Sequence, residues 1–300
     1  MLGILQSTQM ISCDRKQSRT LPDYGFHLHN RYEIYLYLSG EVHYFVEQKK
    51  YVLEHGDMLI FNSREIHKPT FPAPDSVYER YVIHFDPSVA AQYSTPGFDL
   101  LGCFENRPRG EGNLLRLSPE ELAQISALTD QMICLRTGKA PGWEIVYLSR
   151  FLELLVRIGQ AYGAHSPSPQ ELGHALEPPL SEVVAYINAH LQEDLRLEAL
   201  EKRFFINKNY LCKLFRQQTG NTIHSYIQHK RLVRSQELLR EGCSVTEACH
   251  LAGFNDYSNF IRLFKRMTGQ SPTRYRSEAG SGRPAPSEPA AGSRPDFGEC

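Results

Sequence analysis

A twelve-residue pattern occurs twice near the C-terminus, 49 positions apart. The first copy is Asn209-Tyr210-Leu211-Cys212-Lys213-Leu214-Phe215-Arg216-Gln217-Gln218-Thr219-Gly220. The second is Ser258-Asn259-Phe260-Ile261-Arg262-Leu263-Phe264-Lys265-Arg266-Met267-Thr268-Gly269. Each is followed by a polar pair and, at one offset, by a tyrosine, Tyr226 or Tyr275. A unit this short that recurs only once cannot build a solenoid, which needs several stacked supersecondary repeats. It fits a duplicated helix-turn-helix, in which a short support helix and a tight turn present a second helix with a polar outer face.

In the first copy the spacing predicts a support helix over Leu197–Phe204 and a reading helix over Asn207–Gln218. Tyr210, Leu211, Leu214 and Phe215 form the expected buried stripe, and Asn207, Lys208, Asn209, Cys212, Lys213 and Arg216 are the candidate DNA contacts. In the second copy Ser244 caps a support helix over Val245–Ala252, Gly253 makes the turn, and the reading helix opens at Asp256 or Tyr257 and runs to Thr268. There Phe260, Leu263, Phe264 and Met267 are the buried set. Tyr257, Ser258, Asn259, Ile261, Arg262, Lys265 and Arg266 are the candidate contacts. Arginine is the usual reader of guanine edges, and lysine serves there or on phosphate. Between the copies, Thr222 to Arg240 reads as one helix, roughly 28 Å long at 1.5 Å per residue. Successive major grooves on one face of DNA lie about 34 Å apart, so one chain can span two of them.

The charge distribution agrees. The chain carries a net −1, but residues 180–276 hold 15 Lys/Arg and 9 Asp/Glu, or +6, which leaves −7 on the rest. A basic C-terminal third on an acidic body is the footprint of a phosphate-bearing partner. The seven cysteines are odd in number, scattered and without a CxxC pair, which argues against a disulfide framework or zinc ribbon and for a reducing, cytoplasmic setting. No secretory leader and no run of 18 apolar residues is visible, so no membrane span is expected.

The expected fold class is α+β and multidomain. Residues 24–86 alternate as strands do, with Glu33–Leu38 and Glu41–Val46 flanking Ser39-Gly40 as a predicted hairpin. Residues 1–117 are therefore read as a small β-barrel or sandwich. Residues 118–162 are a helical pair. Ser118-Pro119-Glu120-Glu121 starts a helix of about Pro119–Arg136, and a second, about Trp143–Tyr162, is apolar around much of its circumference. Its Phe151 and Leu155 are candidate contacts of a homodimer or, equally, of its own barrel. Residues 163–179 read as a linker, 180–276 as the all-helical reading domain, and 277–300 as a disordered tail.

Residues 183–276 resemble the AraC/XylS family of bacterial transcription regulators. The resemblance rests on Ala252-Gly253-Phe254, Asn259-Phe260, Phe264-Lys265, Thr268-Gly269, Ser271-Pro272 and Tyr275-Arg276. It implies two helix-turn-helix units that read double-stranded promoter DNA, RNA polymerase as a partner, and no enzymatic activity. Two positions depart from the pattern. Cys249 takes a small-residue position and should fit, whereas Glu201 stands where the family usually has alanine and predicts a looser, weaker first unit.

The N-terminal region resembles cupins. His27-x-His29, Glu33 and Gly40 have the spacing of the first cupin motif; Gly56-Asp57 and His67 resemble the second, which normally has proline and glycine where Asn62 and Arg64 stand. Of the two forms, barrel or sandwich, this resemblance implies the barrel. Three imidazoles and a carboxylate suit a divalent transition metal, so His27, His29, Glu33 and His67 form a candidate metal set. Against this, sensing domains of the regulator family keep parts of the cupin pattern without catalysis. The effector-binding candidates are His27, His29, Glu33, Tyr35, Tyr37, His67 and Tyr81, whose aromatic and polar mix suits a sugar, or which simply pack as core. The reading is a regulator of carbohydrate-related genes with a small-molecule effector and no cofactor; the alternative is a cupin metalloenzyme with a helical appendage.

Overall fold

A computed structural model of the protein describes residues 2–18, 31–71, 77–164 and 173–281. Its N-terminal half is built on two antiparallel sheets. The first contains β1 (Ile11–Ser18), β2 (Tyr32–Ser39), β5 (Asp57–Phe61), β7 (Tyr78–Phe85) and β8 (Leu114–Arg116), in the order β1-β7-β2-β5-β8. The second contains β3 (His43–Val46), β4 (Lys49–Val52), β6 (His67–Thr70) and β9 (His174–Ala175), in the order β6-β3-β4-β9.

The predicted hairpin at Ser39-Gly40 is not one. Gly40 does turn the chain, with φ +106, and a Cβ there would lie 2.7 Å from the Val77 carbonyl oxygen. However, β2 pairs with β5 and β7, whereas β3 pairs with β4 and β6. The turn thus carries the chain from one sheet to the other, and the hairpin lies at β3–β4. Among the described residues no strand is shared, so the expected closed barrel is an open two-sheet sandwich. Two-layer packing satisfies both sheets because side chains alternate. Tyr35, Tyr37, Leu59 and Phe61 of the first sheet meet Tyr44, Val46 and Tyr51 of the second.

The other face of the first sheet carries Ile34, Leu36, Ile60, Ile83 and Phe85. Helices α4 (Pro119–Gly138) and α5 (Trp143–Ala164) cover it. Short helices α1 (Ile4–Gln9), α2 (Pro87–Ala91) and α3 (Gly102–Glu105) complete this layer. Helix α4 starts where its sequence requires. Ser118 accepts from the Glu121 amide, and Glu121 accepts in return from the Ser118 amide at 2.8 Å, which satisfies two otherwise orphan donors. Phe151 and Leu155, candidate dimer contacts in the sequence, are fully buried in this core, and the Phe151 ring lies 5.1 Å from that of Phe85. The intramolecular reading therefore holds for both. Truncating Phe151 to alanine would cost about 3–5 kcal/mol.

The C-terminal region comprises α6 (Leu180–Ala189), α7 (Leu197–Phe204), α8 (Lys208–Thr219), α9 (Ile223–Arg240), α10 (Val245–Leu251), α11 (Tyr257–Thr268) and α12 (Pro272–Ser281). Helix α12 continues to Ser281, beyond residue 276 where the sequence reading ends the helical region. Two hydrophobic cores organise these helices, and α9 serves both. Ile223, Tyr226 and Ile227 belong to a core with Leu200, Leu211 and Phe215. Leu232, Val233, Leu238 and Leu239 belong to a second core with Phe260, Phe264 and Tyr275. Part of the predicted linker is a strand, since His174 and Ala175 of β9 pair with Lys50 and Lys49 of β4. Among the described residues no helix is long and apolar enough to cross a membrane.

Candidate nucleic-acid interface and interior sensor site

The first unit is α7, a tight turn and α8. Asn207 is the N-cap of α8, and its side-chain oxygen accepts from the amides of Asn209 (3.0 Å) and Tyr210 (3.3 Å). Glu201 does not loosen the unit. Its carboxylate reaches across from α7 and accepts from the Lys208 amide at 3.0 Å, satisfying another donor and placing negative charge at the positive end of α8. Leu211 and Phe215 are fully buried. Tyr210, expected in the buried stripe, is instead 54% exposed, because it lies in the first turn, before the helix reaches its support. Asn207, Asn209, Lys213 and Arg216 are exposed; Lys208 and Cys212 are half-buried. The Lys208 ammonium is 2.7 Å from Glu198, an exposed pair that DNA phosphate can readily displace.

The second unit is α10, its turn and α11. A capping box between Ser244 and Glu247 opens α10, and Asp256 caps α11 by accepting from the Asn259 amide at 2.9 Å. Phe260, Leu263 and Phe264 are buried, whereas Met267 is half-buried. Tyr257, Ser258, Asn259, Arg262, Lys265 and Arg266 are exposed as predicted; Ile261 is half-buried against the second core. The hydrophobic face of α11 is therefore opposite an exposed face that carries three cations.

The two turns differ. In unit one Phe205 takes the left-handed conformation (φ 55) and precedes the N-cap Asn207 by two positions; in unit two Gly253 (φ 91) precedes the N-cap Asp256 by three. Gly253 is required twice over, since a Cβ there would also fall 2.0 Å from the Leu191 carbonyl oxygen. Helix α9 holds the units apart, its 18 residues spanning about 27 Å.

A second constellation lies between the two sheets. Glu33, directly opposite His84 in the β2–β7 ladder, has one carboxylate oxygen 3.1 Å from His67 Nε2 and 3.2 Å from His84 Nε2. The His67 ring stacks on Phe61, with centroids 4.0 Å apart and planes within 5°. Its Nδ1 faces the Glu65 carbonyl oxygen at 3.0 Å. Both ring nitrogens of His67 thus face acceptor oxygens, and an imidazole with one proton can satisfy only one of them.

Tyr35 and Tyr37 line this interior, but Tyr81 does not. It lies on the opposite face of β7, where its hydroxyl donates to Asp130 of α4 at 2.7 Å. His27 and His29 lie outside the described residues. Tyr44, Tyr78, Arg80 and His84 were missed by the sequence reading. For the β7 residues the signal was the alternation Tyr78, Arg80, Val82, His84, which puts all four on one face. The Arg80 guanidinium stacks on Tyr78 at 4.3 Å. The hydroxyls of Tyr35 and Tyr78 are buried and, among the described residues, have no hydrogen-bond partner; burial pushes the Tyr78 phenol well up, so it stays protonated. Among the described residues no group of three or more His, Cys, Asp or Glu is disposed to hold a metal ion.

Family models match both halves of the chain. Residues 200–278 match a helix-turn-helix domain, and residues 15–155 an AraC-like ligand binding domain. The probable transcriptional regulator LumQ of Photobacterium leiognathi is 35% identical over 91 residues, 30% of this chain and 37% of that protein. The Msm operon regulatory protein of Streptococcus mutans is 34% identical over 134 residues, 41% of this chain and 48% of that protein. The matched stretches thus span less than half of either relative. The solved DNA-binding domain of AdpA in complex with a target DNA is 30% identical, covers 36% of this chain and 97% of that chain, and superposes with a TM-score of 0.34.

Proposed function

This chain belongs to the AraC/XylS family of regulators, and from that premise we propose that it is a ligand-responsive transcription regulator whose two helix-turn-helix units read adjacent major grooves of promoter DNA. The observation that carries the reading is the matched pair of exposed, cationic faces on α8 and α11, held at the two ends of one continuous helix. Arg262 and Lys213 stand at equivalent positions, one turn inside their helices, and are assigned to base edges; Lys265 and Arg266 are assigned to phosphate. A regulator of this kind works in the cytoplasm with RNA polymerase as partner, and no catalytic step is assigned to it.

Selection of the full chain against a random-sequence duplex library at near-physiological salt tests the reading. The expected result is a two-part site with its boxes about one helical turn apart. Sequence-blind, salt-sensitive binding alone would sink it.

The effector is assigned to the space between the sheets. Unpaired phenol hydroxyls, aromatic rings and the Glu33–His67–His84 set supply the stacking and hydrogen-bonding groups that a small polar molecule such as a sugar requires. A thermal-shift panel of sugars checks this. A ligand whose stabilisation disappears in Glu33→Gln supports the site, and one whose stabilisation is unchanged there places the effector elsewhere.

A further inference from the structure

We propose that strand β6 transmits the state of the sandwich interior to the first reading unit, a step that rests on the interior being the effector site. The second sheet is a partition with one face in each compartment. His67 points between the sheets, toward Glu33 and Phe61. Its two chain neighbours face the other way, as strand alternation demands. Ile66 is part of the core that holds Leu211, Phe215 and Tyr226, and the Lys68 ammonium donates to the Gly220 carbonyl at the end of α8, at 2.5 Å. Strand β3 repeats the arrangement. Tyr44 faces inward, its ring 6.3 Å from that of His67, and Phe45 faces outward, 6.4 Å from that of Tyr226. The two strands are in register, with Val46 opposite His67 and Phe45 opposite Lys68.

A buried ion pair makes this contact two-state. Glu47, at the end of β3, exchanges two hydrogen bonds with Ile66. Its amide donates to the Ile66 carbonyl and its carboxylate accepts from the Ile66 amide, both at 2.9 Å. The other carboxylate oxygen accepts from the Lys230 ammonium at 2.5 Å, and both side chains are almost wholly buried. Lys230 sits at the middle of α9, between Ile227 of one core and Leu232 of the other. Seven residues on, hence on the same face of the helix, Glu237 pairs with Arg109. The Arg109 loop is itself rigid, since Arg107 grips Glu65 through two bonds of 2.6 Å. Two desolvated charges are favourable only together, or apart in water. The sandwich therefore either grips α9 at this point or releases it. A group that shifts His67 also shifts Ile66, and with it the carboxylate that holds Lys230. Such a chain of packed contacts ending in a two-state element is what coupling between sites requires.

Hydrogen exchange of the full chain, read by peptide, tests this without knowledge of effector or operator. In Lys230→Met, exchange across residues 208–227 should rise about tenfold or more, whereas residues 257–268 stay near the parent rate, because local stabilities are separable. His67→Ala should produce the same pattern from the far side of the sheet. If that variant loses protection in β2 and β7, His67→Gln, which keeps a hydrogen-bonding group, is read instead. A His67 effect confined to the sandwich would overturn the proposal, and so would an equal rise in residues 257–268 in either variant. Failure of the parent chain to select a DNA site would sink the regulatory reading instead and leave the exchange result standing.

Discussion

The two reading units share a fold and differ in what supports them. Among the described residues the hydrophobic core of unit two draws on residues from 232 onward, and its outside contacts are polar or backbone ones, such as Arg109 on Glu237 and the Leu191 carbonyl against Gly253. Unit one differs. Phe45, Ile66 and Leu176 from the sandwich side complete its core, and the Glu47–Lys230 pair crosses the same boundary. The core of unit two is thus built from its own helices, whereas the core of unit one is completed by a neighbour. The turns carry the same contrast. Unit two has a glycine at its left-handed position; unit one places Phe205 there, 94% exposed and with φ 55. The chain holds two copies of one device, and among the described residues only the first shares its hydrophobic core with the sandwich.

The comparison can be broken most forcefully at the boundary. Glu47→Ala leaves the Lys230 ammonium buried without its partner and should destabilise unit one by about 3–5 kcal/mol. Chemical unfolding should then separate an early transition of residues 197–227 from a later one of unit two. A single transition with an unchanged midpoint would show that the units are not independent in this way. Gly253→Ala strikes the other unit, adding both left-handed strain and a clash with the Leu191 carbonyl; a loss of about 3 kcal/mol is expected. Were this variant as stable as the parent, the close approach of the α6–α7 loop would be wrong.

On DNA, Arg262→Ala should lose about 1–3 kcal/mol and relax preference at one position of the selected site. A uniform loss over all sequences would move Arg262 to the phosphates. The smallest effect sharpens the turn comparison. Phe205→Gly should stabilise unit one by about 1 kcal/mol, the left-handed penalty relieved, measured as a rise in its unfolding midpoint. Destabilisation instead would mean that the Phe205 side chain has a contact worth more than its strain.

What was legible in the sequence was local. The starts of α4, α8, α9, α10 and α11 could be read because a capping side chain sits within three residues of the amide it satisfies. The buried faces of the reading helices followed from period, apart from Tyr210, whose position in the first turn leaves it uncovered, and Leu214 and Met267, which are only half-buried. The sheet partition was not legible, because Ser39-Gly40 signals a turn but not whether the strands it joins will pair. Nor could His84 be placed beside Glu33 without the β2–β7 register. The Glu47–Lys230 pair joins residues 183 positions apart, which no pattern in either neighbourhood announces. Glu201 shows the limit in reverse: it looked like a misfit by comparison with a small residue, yet it caps the helix it was expected to loosen.

The short strand β9 has a mechanical consequence. The chain that leaves the sandwich is hydrogen-bonded to the second sheet as far as Leu176, whose amide donates to the Gln48 carbonyl, and α6 begins at Leu180. Four residue steps of fully extended chain reach at most about 14 Å. Were unit one to let go of the sandwich, as proposed above, it would swing on a short leash with its arc set by that length. Travelling further requires β9 to unzip from β4, so the edge of the sheet acts as the stop that limits how far the reader can swing.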